Sequence, residues 1–204
     1  NEYVRMEAQT AIVNFSGFQG LIFLNDLSYD LSEWQQLKLL EHLEMINVQE
    51  MPELHLWLKS QNEYVIQFAL KLADIFQQLQ VHDEVINCLT SPKDKIKYQA
   101  IKTLGRIAND TTSKLLQQFY YSESIANRQE MLRQIGIIGT ENDIPFLTDQ
   151  LHENDDRLKL EASRSVVRIA GKEGVAILEQ HIGDSERMRS INRQIKFETA
   201  LWIS

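Results

Sequence analysis

The tetrapeptide Asn1-Glu2-Tyr3-Val4 recurs as Asn62-Glu63-Tyr64-Val65. In each copy an alanine follows the valine after four residues, at Ala8 and Ala69. Repetition at an interval of roughly 20–50 residues is the signature of solenoids and related repeat architectures. An offset of two periods, each about 31 residues long, therefore directs attention to the same period along the whole chain.

Five series of apolar residues follow this period, with one step of 30 residues and otherwise steps of 31. The first three are Ala8, Leu39, Ala69, Ala100, Met131, Ala162; Ile12, Leu43, Ala73, Leu104, Ile135, Val166; and Phe15, Ile46, Phe76, Ile107, Ile138, Ile169. The last two are Phe23, Leu54, Val85, Leu116, Leu147, Leu178 and Leu27, Leu58, Leu89, Tyr120, Leu151, Ile182. Every position is apolar, although only 43% of the chain is hydrophobic. Spacings of four and three residues define one face of a helix, so each repeat is predicted to be a pair of helices.

The predicted fold class is all-α, an α-solenoid (superhelix) in one domain over residues 1–204. The eight glycines and three prolines supply little turn chemistry for a protein with many strands. The predicted repeats span about 1–30, 31–60, 61–91, 92–122, 123–153 and 154–184. The period then fails, because Thr199 stands where position 193 should complete the next repeat. We therefore predict a C-terminal capping helix over 185–204, since terminal repeats of solenoids are atypical.

Three arginines in the inserted segment, Arg187, Arg189 and Arg193, belong either to this cap or to a small anion or partner site. A short run of charge is usually a solvated face, which favours the cap.

Particular repeats resemble the short HEAT-type repeats first described in phycobilisome lyases. The resemblance is carried by Val4-Arg5-Met6-Glu7-Ala8, Ile96-Lys97-Tyr98-Gln99-Ala100, Leu158-Lys159-Leu160-Glu161-Ala162, Leu104-Gly105, Ile135-Gly136 and Asn142-Asp143-Ile144-Pro145-Phe146-Leu147. It covers about residues 1–184 and implies six two-helix HEAT-like repeats of the armadillo-like helical class. It also implies that the second helices line the concave face on which such proteins commonly bind partners.

Charge and motif content argue against several function classes. The net charge is −8, and residues 1–90 hold four basic and 13 acidic residues, so we expect no nucleic-acid partner. No phosphate-binding glycine motif occurs, no His-Glu-x-x-His is present, and His152-Glu153 is a lone pair. Cys88 is expected to be a small buried hydrophobe rather than a reactive thiol. We therefore predict a protein that is not an enzyme and that uses no cofactor and no metal.

The candidate site is a column of residues on the second helices, two positions before the last apolar series. A residue at that position points about 160° away from the core. The column is Asn25, Leu56, Asn87, Gln118, Asp149 and Gln180, and Lys59, Lys114, Tyr121 and His152 flank it. Amide groups can both donate to and accept from an extended backbone, so the column favours a peptide or protein partner. Ordinary solvent exposure is the alternative interpretation.

Two function classes stay open. The first is a non-enzymatic interaction or scaffold module that binds a protein or peptide on the concave face. The alternative is a tetrapyrrole (bilin) lyase or lyase-like chaperone, which rests on the resemblance alone; it would be excluded if haem and bilin showed no spectral shift with the protein.

No transmembrane segment is expected, because polar residues interrupt the longest uncharged stretch. The chain is interpreted either as processed or as a fragment of a longer protein. We expect a cytoplasmic protein or the soluble domain of a membrane-anchored one, and the oligomeric state does not follow from these patterns.

Overall fold

The structure is a computed structural model that describes residues 2–45, 50–181 and 186–203. These residues form α-helices and short 3₁₀ segments, and no strand occurs among them. The prediction of an all-α fold is confirmed. The chain divides into two compact units, Asn1–Ile107 and Ala108–Ser204. Whether the two units form one continuous superhelix stays a prediction.

The first unit contains helices that follow the predicted repeats. They are α1 Glu2–Ser16, α2 Glu33–Glu44, α3 Leu54–Trp57, α4 Glu63–Ile75, α5 His82–Cys88 and α6 Asp94–Arg106. A 3₁₀ segment, Gly17–Asp26, occupies the place of the second helix in the first repeat, and another, Leu79–Val81, precedes α5. The helices α1 and α2, α4 and α6, and α5 and α6 pack against one another. Successive hairpins of this unit thus bury their apolar faces against their neighbours.

The second unit begins with α7 Thr112–Phe119 and continues with α8 Ile125–Ile138, α9 Ile144–Asp149, α10 Asp156–Ala170, α11 Lys172–His181 and α12 Glu186–Ile203. Short 3₁₀ segments, Tyr120–Ser122, Glu141–Asp143 and Gln150–His152, adjoin α7 and α9. Its most extensive helix–helix contact joins α8 and α10. Helix α12 buries Met188, Ile191 and Ile195 and packs on α10 and α11, as a capping helix does.

Sequence signals explain several helix boundaries. Ser32 accepts from the backbone N–H of Gln35, whose side chain accepts from Ser32 N in return, so α2 begins with a capping box. Asn62 caps α4, and Pro145 lies at the start of α9, where a missing N–H costs nothing. Gly171 ends α10 with φ of 59°, a conformation that favours glycine.

The apolar series are buried in the middle of the chain but not at its start. Leu39, Leu43, Ala69, Ala73, Ala100, Leu104, Met131, Ile135, Ala162 and Val166 are all buried, as are Leu54, Leu58, Val85, Leu89, Leu116, Tyr120, Leu147, Leu151 and Leu178. Phe76, Ile138, Ile169 and Phe23 are half-buried, and Ile46 and Ile182 lie outside the described residues. The periodicity therefore locates the core of both units.

The prediction for the first repeat is wrong in two respects. Ala8, Ile12 and Phe15 are exposed, and α1 buries Met6 and Val13 on its opposite side. Spacing detects an apolar face but not which helix covers it, and here none does. The segment after α1 is 3₁₀ rather than α-helical. It starts at Gly17, whose φ is 59°, and passes Gly20, where an added Cβ would lie 2.9 Å from the Cα of Val13.

None of the helices in the described part of the chain combines the length and apolarity needed to cross a bilayer.

Matched leucine substitutions test this account of the core. Leu104 is fully buried and Leu56 is 52% exposed. Leu104→Ala should lower the free energy of unfolding by about 2–5 kcal/mol because it removes buried methyl groups and leaves a cavity. Leu56→Ala should change it by less than about 0.5 kcal/mol. Urea unfolding followed by far-UV circular dichroism measures both, and equal losses would contradict the assigned core.

Candidate partner-binding surface

The ten residues predicted from the sequence to bind a partner are all exposed. They are Asn25, Leu56, Lys59 and Asn87 in the first unit and Lys114, Gln118, Tyr121, Asp149, His152 and Gln180 in the second. Their exposure follows from helix geometry, because the apolar residues two positions away face the core. Exposure makes these residues available, while their role in binding stays a prediction.

In the first unit, Lys59 and Asn87 line one cavity of about 370 Å³. The remaining lining residues come from the end of the second repeat, α4, α5 and the turn into α6: Leu58, Ser60, Ile66, Glu84, Cys88, Thr90, Ser91, Pro92 and Ile96. Apolar side chains and one thiol thus share the cavity with an exposed amide and a charged pair. A volume of this size accommodates a single side chain or a small ligand.

Lys59 is positioned by an ion pair within this cavity. Its Nζ donates to Oε1 of Glu84 over 3.0 Å. The hydrogen bond from Lys59 holds the pKa of Glu84 below its usual value. Lys59 and Glu84 belong to neighbouring repeats, so their pairing joins the two second helices across the cavity. The periodicity of the sequence gave no signal for Glu84, because the pair depends on which long side chains meet.

Cys88 contributes the thiol of the cavity. The residue is only 7% exposed, and its Sγ lies 4.0 Å from the carbonyl oxygen of Leu58. Burial raises the pKa of this thiol to about 11. The thiolate is the nucleophilic form, so Cys88 is protonated and weakly reactive at neutral pH. This agrees with the interpretation of Cys88 as a small buried hydrophobe.

Asn25 has a structural partner. Its Oδ1 accepts a hydrogen bond from the indole Nε1 of Trp57 over 2.8 Å. Trp57 is 2% exposed, so the bond satisfies a buried donor that would otherwise be costly. The Asn25 side chain therefore stabilises the hairpin as well as facing solvent.

Tyr121, on the second unit, stands on a packed aromatic base. Its ring is 68% exposed and lies 5.1 Å, edge to face, from the buried ring of Tyr120. The Gln150 side-chain amide donates to the Tyr121 hydroxyl over 3.2 Å. The Arg128 guanidinium lies 4.4 Å from the centre of the Tyr120 ring and pairs with Glu153. These contacts restrict the position of Tyr121, so a partner would meet a preordered aromatic surface.

Glu153 is thus an ion-pair partner of Arg128, which gives the His152-Glu153 dipeptide a structural reason. The His152 ring is exposed and its centre lies 6.4 Å from that of His181. Within the residues that the structure describes, no three His, Cys, Asp or Glu side chains are grouped as metal ligands.

Lys114 belongs to a different cavity, of about 430 Å³, beside the turns that precede α7 and α9. Asp143 is the buried centre of this region. Its carboxylate accepts from the Ser113 hydroxyl over 2.7 Å, the Gln117 amide over 2.6 Å and the Thr140 backbone N–H over 2.7 Å. Asp143 therefore satisfies donors from two successive repeats, which accounts for an aspartate in the repeat pattern.

Asp149, Gln118 and Gln180 are placed on exposed second-helix surfaces without joining either cavity. In the capping helix, Arg189 and Arg193 are exposed, and the Arg193 side chain donates to the Arg189 carbonyl over 3.4 Å. The side chain of Arg187 lies outside the described residues. The choice between a cap and an anion site for these arginines stays open.

A family model for HEAT repeats matches residues 82–167. The chain therefore contains HEAT repeats and belongs to the HEAT-repeat proteins. The matched segment runs from α5 to α10 and includes Asn87, Gln118, Tyr121, Asp149 and His152. HEAT repeats generally mediate protein–protein interaction or scaffolding. No curated protein matches the sequence significantly.

Thiol labelling tests the environment assigned to Cys88, the chain's one cysteine. Because burial raises its pKa from 9.0 to about 11, the folded chain holds roughly 100-fold less thiolate near pH 8 than the unfolded chain. The labelling rate of the folded protein should be lower by a similar factor and should keep rising until the pH approaches 11. Iodoacetamide labelling with and without denaturant measures this, and equal rates would contradict a buried thiol.

Proposed function

We propose that this chain is a non-enzymatic interaction or scaffold module that binds an extended segment of a protein partner on the outer faces of its second helices. One observation carries the proposal. In α5, α7, α9 and α11 the core side chains are buried, and the outward positions remain exposed and mostly neutral or polar. These positions contribute little to the core, so their amide and aromatic content is available for recognition.

The cavity beside Asn87 supports a defined mode of binding in the first unit. Leu58, Ile66 and Ile96 make part of its lining apolar, which suits an aliphatic side chain of the partner. The Asn87 amide can donate to and accept from the partner backbone next to that side chain. The Lys59–Glu84 pair keeps the rim polar without adding net charge.

In the second unit, Tyr121 and Gln118 offer an aromatic ring and an amide on the same helical segment. Tyrosine is favoured in binding surfaces because its large ring has few rotatable bonds. The packing of Tyr120 beneath Tyr121 lowers the entropy that a partner must remove on binding.

Charge favours a neutral or basic partner for the first unit. Residues 1–90 carry a formal charge of −9, from four basic and 13 acidic residues. A polyanion would be repelled by this field, whereas a basic segment would associate faster. Nucleic acid is therefore not proposed as the partner.

Peptide selection provides the test. A random-peptide phage library is panned against the whole chain, and the affinity of a selected peptide is measured by fluorescence anisotropy. Two double variants are compared, Lys59→Ala with Asn87→Ala and Gln118→Ala with Tyr121→Ala. At least one of them should weaken binding by about tenfold or more, because hot-spot truncations cost over about 1.4 kcal/mol.

The matched control replaces the same residue types on first helices, Asn14→Ala with Lys95→Ala, both of which are exposed. This variant should bind as the natural sequence does, and circular dichroism should show equal helicity for all of them. Failure to select any peptide, or unchanged binding in both double variants, would contradict the proposal.

A further inference from the structure

Helix α1 is apolar on two opposite faces. One face buries Met6 and Val13 against its own unit, at 2% and 0% exposure. The other exposes Val4, Ile12 and Phe15, at 62%, 50% and 92%. A helix with apolar residues all round is normally covered on both sides. We define the second face as the α1 stripe: Val4, Ala8, Ala11, Ile12 and Phe15, all of them exposed.

The later first helices bury the positions that the α1 stripe occupies. The equivalents of Ala8 and Ile12 in α2, α4, α6, α8 and α10 are buried in every case. The equivalents of Ala11 in α6 and α10 are Thr103 and Ser165, which lie directly against the preceding first helix. Thr103 donates to the Leu70 carbonyl over 3.1 Å, and Ser165 donates to the Leu132 carbonyl over 2.8 Å. The stripe is therefore a surface against which another helix packs elsewhere in this protein.

We infer that the α1 stripe is the contact between two copies of this chain, with the two α1 helices packed antiparallel about a two-fold axis. The order of residue sizes makes the stripe complementary to itself. In an antiparallel pair centred between Gln9 and Thr10, Val4 faces the partner's Phe15 and Ala8 faces the partner's Ala11. Two-fold dimers require such a self-complementary patch.

Small residues at the centre allow close approach. Ala8 and Ala11 carry only a methyl group, so the helix axes can come within about 8 Å, the short end of the usual range. Phe15 then inserts beside the partner's Val4 at each end. Arg5 does not interfere, because its guanidinium is held 3.6 Å from the centre of the Tyr29 ring in its own chain. Contiguous apolar surface of this kind is uncommon on monomers and marks an interaction site.

The oligomeric state of the whole chain tests this inference. Sedimentation equilibrium from about 1 to about 100 μM should show a monomer–dimer equilibrium of the 23.8 kDa chain. Phe15→Asp should raise the dimer dissociation constant at least about tenfold, because it places a charge in an apolar contact. Phe197→Asp is the matched control, since Phe197 is also exposed, at 69%, and lies on α12. It should leave the constant unchanged.

Circular dichroism establishes that both variants keep their helices, as the exposure of both phenylalanines leads us to expect. A natural sequence that stays monomeric over this range would overturn the inference, and the stripe would then belong to a helix of another protein. A dimer that persists unchanged in Phe15→Asp would overturn it as well.

Cross-linking gives a second readout that reports the geometry. In the antiparallel pair the two Ala8 Cα atoms are roughly 6 Å apart, within the range of a disulfide. Ala8→Cys should form a covalent dimer on oxidation. Asn14→Cys, on the same helix but about 100° from the middle of the stripe, should not. The natural chain, in which Cys88 is buried, supplies the background. Equal cross-linking of the two cysteine variants would contradict the proposed axis.

Discussion

A hairpin of about 31 residues cannot cover its own apolar face, so each hairpin depends on the next. The contact between α8 and α10 shows how close that dependence is. Gly136 lies so near Ser165 that an added Cβ would be 2.6 Å from the Ser165 Cβ. The Ser165 hydroxyl meanwhile donates to the Leu132 carbonyl. First helices thus approach each other at short range, and the outward faces of the second helices are left for other contacts.

This division of labour explains why structure and recognition can be separated in the chain. Asp143 and Asn25 are polar residues near the candidate surface that also satisfy buried donors. Asn87, Gln118 and Tyr121 lie on the same helices and have exposed side chains. Substitutions at the first kind of residue are expected to act through folding, whereas those at the second kind report on partners.

The sequence predicted much of the fold because apolar spacing and core burial follow from the same helix geometry. It placed Leu104, Ile135 and Leu116 in the core, where the structure has them. It failed at Phe15, whose spacing matches that of Ile107 but whose neighbouring helix is absent from the structure. Periodicity also could not distinguish the 3₁₀ segment Gly17–Asp26 from an α-helix, because that depends on the close approach of Gly20 to α1.

The candidate site was predictable only in part. Exposure of the second-helix column follows from the angle between residues two positions apart. The cavity at Asn87, the Lys59–Glu84 pair and the seat of Tyr121 depend on side chains of different repeats meeting in space. The same holds for Arg128, which stacks over Tyr120 and pairs with Glu153 from the following repeat boundary. Such meetings are set by rotamers and local helix ends, for which a sequence period gives no signal.

The central claim is that recognition uses the second-helix faces, and NMR spectroscopy of side-chain amides tests it most directly. Asn87 and Gln118 lie on that surface, and Gln99 and Gln134 lie on first helices. Titration with a selected peptide should shift the amide signals of Asn87, Gln118 or both, and leave those of Gln99 and Gln134 in place. Shifts confined to the first-helix amides would contradict the account.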